Sequence, residues 1–143
     1  MHDGVRALAL GLVASLATAA SASPFTVGVA GGRVQSASDS TSSPNDDWQL
    51  WARLHVWRGL STQLEWHKLD NDNAVAMGTV NAIAILDLLH GAWVPFVLAG
   101  VGVDYGSNTS APGNGADIAT GVGFEYRSPG GVVVGIDARI GVR

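Results

Sequence analysis

Residues 121–143, "GVGFEYRSPGGVVVGIDARIGVR", set charges at a period of two. Glu125 and Arg127, then Asp137 and Arg139, share one parity, and apolar residues fill the other. Successive side chains of a strand point to opposite sides, so this spacing demands strands with one oily and one polar face. In 116–127 Ile118, Thr120, Val122, Phe124 and Tyr126 oppose Asp117, Ala119, Gly121, Gly123, Glu125 and Arg127. The same split recurs around Trp48–Val56, Leu60–Trp66, Val97–Tyr105 and Phe25–Val29. Residues 74–89, "AVAMGTVNAIAILDLL", are apolar on both parities, but they settle on no helical stripe and sit among strands, so a strand is expected there too.

Seven strands follow, starting near residues 25, 47, 60, 75, 94, 116 and 131. Their connectors alternate. Residues 57–60, 89–93 and 127–131 are tight turns with Gly or Pro, while 36–47, 70–73 and 106–115 are polar, two of them long. This is the layout of an all-β, antiparallel up-and-down barrel of about eight strands, with its short turns at one end and its loops at the other.

Residue size says which face points inward. The polar faces mix charges with Gly28, Ala30, Gly100, Gly102, Ala119, Gly121, Gly123 and Gly135. A water-facing surface has no need of such small residues. The interior of an eight-stranded barrel does, because its width only just admits side chains. The apolar faces are continuous Val, Ile and Leu, suited to lipid. Trp48, Trp66 and Tyr105 fall beside the loops, and Phe25, Phe124 and Tyr126 near the opposite ends, as two aromatic girdles would. The expectation is a transmembrane barrel in the outer membrane. The alternative is a soluble periplasmic barrel that turns its Val, Ile and Leu inward around a lipid or other apolar ligand.

The N-terminus fits export. Arg6 precedes an uncharged apolar run from Ala7 to Ala20, and Ala20-Ser21-Ala22 offers small residues for cleavage, so residues 1–22 read as a cleavable signal peptide and 23–143 as the barrel domain. The chain carries 8 Lys+Arg against 12 Asp+Glu, and Lys68 is its one lysine. No basic patch recruits nucleic acid. There is no cysteine, so no disulfide supports the fold.

"VPFVLAGVGVDYG" (94–106), "GVGFEYRSPGGVVVGIDARIGV" (121–142) and "LWARLHVWRGLSTQLEWHKLD" (50–70) together resemble the small outer-membrane β-barrel family, the outer-membrane protein A-type transmembrane domain. The resemblance implies periplasmic turns, surface loops, insertion by the barrel-assembly machinery, and contact with outer-membrane lipid and lipopolysaccharide. The chain departs from the family in two ways. An even number of strands is expected, so an eighth strand reads as missing, through truncation; otherwise the first and last strands close an odd barrel, or the open edge pairs with another chain. The final strand also stops at Arg143 instead of an aromatic residue.

Candidate chemistry is sparse. His2 lies in the leader and His90 in a turn; His55 and His67 share the polar parity near Glu65, where a His–Glu pair would be an acid and a base or a hydrogen-bonded network. The network reading is the expectation, since no activated nucleophile accompanies them, and the His-x-Ser motif of barrel lipases is absent. Gly100/Gly102 and Gly121/Gly123 lack the third glycine and the helix of a dinucleotide site. Asn108-Thr109-Ser110 is a chance sequon, and Asp39, Asp46, Asp47, Asp70 and Asp72 read as solvated loop acids without calcium-loop spacing. The expectation is a non-enzyme with no catalytic, cofactor or metal residues and no cofactor. Its role would be structural or surface-exposed (membrane integrity, adhesion or at most a narrow, porin-like pore).

Overall fold

A computed structural model of the chain describes residues 8–19, 24–36, 45–70, 77–106 and 115–142. Its elements are all strands: β1 (Leu8–Ala19), β2 (Phe25–Ser36), β3 (Asn45–Trp57), β4 (Leu60–Asp70), β5 (Met77–Asp87), β6 (Trp93–Gly106), β7 (Ala116–Arg127) and β8 (Val132–Val142). Each pairs antiparallel with its neighbours in sequence order. From β2 to β8 they form one curled up-and-down sheet, and β1 lies between β2 and β8 to close it.

The seven strands expected from alternation are all present. So is the strand at 74–89, observed as Met77–Asp87. The eighth position in the barrel is taken by Leu8–Ala19, within the stretch read as a leader. The reason is that a run of apolar and small residues suits a strand as well as it suits a signal peptide. Pairing in the whole chain and cleavage of the chain are separate events. A chain cut after Ala22 would leave β2 and β8 as two edges facing one gap.

Turn chemistry holds the short end. Gly59 follows Arg58 in the β3–β4 turn with φ 74°, a left-handed conformation that glycine enters without a Cβ clash. The register slips between His55 and Trp57 beside it. In the β7–β8 turn Gly131 has φ 84°, and Ser128 Oγ accepts a hydrogen bond from the Val132 amide at 2.9 Å. Such a serine offers the backbone a local partner where the ladder stops.

The faces are sorted as the sequence requires. Val122, Val101, Ile118, Leu64 and Val134 point outward and are exposed, whereas Arg53, Gln63, Glu65, His67, Glu125 and Asp137 point inward and are buried. Among the described residues, 25 large apolar side chains are exposed and only seven apolar residues are buried. The interior is therefore mainly polar. Its apolar part is one patch on the β5–β6 wall, made by Ile83, Ile85, Phe96 and Leu98, and a smaller one of Ala30 and Trp51 with Val133 against it. Gly123 is what admits Phe96: a Cβ there would lie 2.2 Å from the tip of the ring.

Candidate functional site

Most of the interior charged side chains form one connected network. At the loop end Asp47 faces His67, Oδ2 to Nδ1 at 2.9 Å, and Glu65 faces the other ring nitrogen of His67 at 2.8 Å. A ring with a carboxylate at each nitrogen satisfies both when it donates from both. Glu65 also accepts from Arg139, whose Nη1 and Nη2 reach its two oxygens at 2.6 and 2.9 Å. Arg139 in turn holds Asp137, two residues before it on β8, through Nε at 2.6 Å.

Toward the turn end a second group repeats the scheme. Arg53 Nη1 lies 2.9 Å from both oxygens of Glu125. Arg127 donates to Glu125 from Nε at 2.6 Å and to Asp87 from Nη1 and Nη2 at 2.8 and 3.0 Å. Gln63 joins the groups: its carbonyl accepts from Arg53 Nε at 2.7 Å, and its amide donates to Glu65. The Arg53 guanidinium also sits 5.0 Å from the centre of the Trp51 ring, a cation–π contact.

The strand pattern explains these meetings. β4 and β8 are four places apart in a ring of eight, as are β3 and β7, so Glu65–Arg139 and Arg53–Glu125 are ties between opposite walls. Shared parity on neighbouring strands would let Glu125, Arg127, Asp137 and Arg139 neutralise one another across the β7–β8 pair. They pair within their own strand, Arg127 with Glu125 and Arg139 with Asp137, and their remaining partners lie on β3, β4 and β5. Alternation gives the face on which a charge sits. It does not give the residue on the far wall that a long guanidinium reaches.

The histidines separate. His67 joins Glu65 as the spacing suggested, while His55 pairs instead with Ser61, Nδ1 to Oγ at 2.7 Å. The serine–histidine contact was missed from sequence. Turn length alone does not give it: the two-residue turn Arg58-Gly59 would set Val56 opposite Ser61, and the register slip between His55 and Trp57 brings His55 there. The contact has the parts of a nucleophile and its base, yet Ser61 is 1 % exposed. His90 is exposed in its turn.

Three of the acids read as loop residues belong to strands. Asp46 and Asp47 lie on β3 and Asp70 on β4, and Asp47 is buried in the network. Asp39, Asp72 and the sequon at 108–110 lie outside the described residues. Among the described residues no group of three His, Asp or Glu side chains is arranged to hold a metal ion.

The middle of the interior is filled. The void between Trp51, Arg53, Gln63, Glu125, Asp137 and Arg139 measures about 10 Å³, at the lower limit for one water molecule. The geometry thus builds a plug of crossed ion pairs with apolar patches against it. No family model matches the chain, and no curated protein and no solved structure does so either.

Proposed function

We propose that the chain is an integral outer-membrane β-barrel with a structural or surface role, without enzymatic activity, in contact with outer-membrane lipid and lipopolysaccharide. The observation that carries this reading is the inverted distribution of residues: large apolar side chains along the outside of β2 to β8, crossed ion pairs inside. Water disfavours so continuous an apolar surface. A closed ladder leaves no unpaired backbone group in hydrocarbon, which makes barrels one of the two structures able to span it. The resemblance to outer-membrane protein A-type barrels agrees with this.

The filled cross-section favours a structural role over a conducting one, and an interior of eight strands is ordinarily occupied by side chains. The soluble alternative needs its Val, Ile and Leu inside around an apolar ligand. The outward placement of Val101, Val122 and Ile136 weighs against it.

The test is fractionation with heat-modifiability. The expressed chain should sediment with outer membranes, and unboiled and boiled samples should migrate differently on a gel. Recovery in the soluble periplasm without a mobility shift would replace the reading by the soluble one.

A further inference from the structure

At the turn end the outer apolar surface runs on past the strands. Alternation through Trp51, Arg53 and His55 would put Trp57 on the inward side of β3. The register slip between His55 and Trp57 turns it out instead. Trp57 is 76 % exposed, and Val56 before it is exposed as well. Re-aiming a side chain in this way is what a bulge does. Leu88 and Leu89, where β5 gives way to its turn, are likewise consecutive and both exposed. Each apolar pair is followed by an exposed nitrogen donor, Arg58 in the first turn and His90 in the second.

The two turns form one surface. The Asp87 amide donates to the Gly59 carbonyl at 2.7 Å, and His90 Nε2 lies 3.8 Å from where a Cβ on Gly59 would be. Arg33, Arg53, Arg127 and Arg139 each meet a carboxylate, whereas Arg58 meets none among the described residues. The acids of this end, Asp87 and Glu125, are turned inward to Arg127. The turns therefore offer donors without an exposed carboxylate, at the edge of an apolar wall.

We propose that these two turns bind the phosphate of an anionic diacyl glycerophospholipid. The Arg58 guanidinium and the His90 ring N–H donate to its oxygens, and the acyl chains run down the wall from Trp57 and Leu88. An indole, apolar in its body and polar at its N–H, suits that boundary. A headgroup ammonium finds no carboxylate here, so a zwitterionic lipid is held less tightly than one with net negative charge. The site rests on the reading that the barrel is embedded in lipid, with its short turns toward the periplasm and the phospholipid leaflet.

The experiment is native mass spectrometry of the full chain purified in detergent and titrated with phosphatidylglycerol, phosphatidylethanolamine, phosphatidylcholine and lipopolysaccharide. The site predicts one retained phosphatidylglycerol, bound about fivefold more tightly than the other lipids. Arg58→Gln should lower that affinity about fivefold, and Trp57→Ser should lower it as well. Arg33→Gln, at the loop end, should leave it unchanged. All three variants should keep the heat-dependent gel shift. Equal retention of all four lipids, a preference for lipopolysaccharide, or equal effects of Arg58→Gln and Arg33→Gln would overturn the site while leaving the embedded barrel standing. Absence of the gel shift in the unmodified chain would remove both at once, and it is seen before any lipid is added.

Discussion

Arg139 and Glu65 are 74 residues apart in sequence and meet across the full width of the barrel through two hydrogen bonds, at 2.6 and 2.9 Å. Glu65 is wholly buried and Arg139 nearly so. Removing one partner strands the other charge in a medium that solvates it poorly, which costs about 3–5 kcal/mol. Arg139→Met should lower unfolding stability by that amount, measured by urea titration of tryptophan fluorescence in lipid vesicles. Combined with Glu65→Met, the total loss should fall short of the sum of the single losses by about 1–3 kcal/mol. Additive losses would show that the tie carries no energy of its own.

Gln63 gives the network its continuity, since it accepts from Arg53 and donates to Glu65. Arg53→Met and Arg139→Met should therefore be non-additive by more than about 0.5 kcal/mol in the parent chain. In a Gln63→Leu background the same pair should be additive within that margin. A double-mutant cycle run in both backgrounds measures it.

The glycines separate cleanly by what lies over them. At Gly121 a Cβ would stand 2.4 Å from the Ala138 carbonyl oxygen, which is backbone and cannot turn aside, while at Gly141 the nearest atoms are at 3.5 and 3.8 Å. Gly121→Ala should destabilise by about 1–3 kcal/mol, the usual cost of overpacking. Gly141→Ala should be neutral or raise stability by up to about 1 kcal/mol through a less flexible unfolded chain. The comparison of urea midpoints at equal slope decides between them.

Val122 lies near the middle of β7, points outward and is 61 % exposed. In lipid, an arginine at that depth should cost about 2–4 kcal/mol. On a water-facing wall the change would alter stability by no more than about 0.5 kcal/mol. Unfolding of Val122→Arg from vesicles therefore reads the environment of the outer wall directly.

The fold was legible because a period of two survives in nearly every strand, and because charge and glycine share one parity in β6, β7 and β8. β5 was the hard strand: Ile83 and Ile85 are buried against Phe96 and Leu98 on the inward side, so both of its faces are oily and periodicity alone is mute. β1 was read as a leader because an uncharged run of leucine and alanine is compatible with either fate. Within the site, Glu65 with His67 could be found from parity and proximity, whereas His55 meets Ser61 through the register slip before Trp57, which turn length does not record. The ties Glu65–Arg139 and Arg53–Glu125 could not, because nothing in one strand records what stands on the opposite wall.

Those crossed ties also bear on the order of assembly. Glu65 arrives with β4 and its guanidinium only with β8; Arg53 arrives with β3 and Glu125 only with β7. A partly built sheet thus exposes acids and bases whose counterparts have not yet been delivered, and hydrocarbon rejects such a sheet more strongly than it rejects the finished ring. For the membrane-embedded barrel proposed above, insertion and closure are then one event, and hairpins of this chain should not enter a bilayer one at a time.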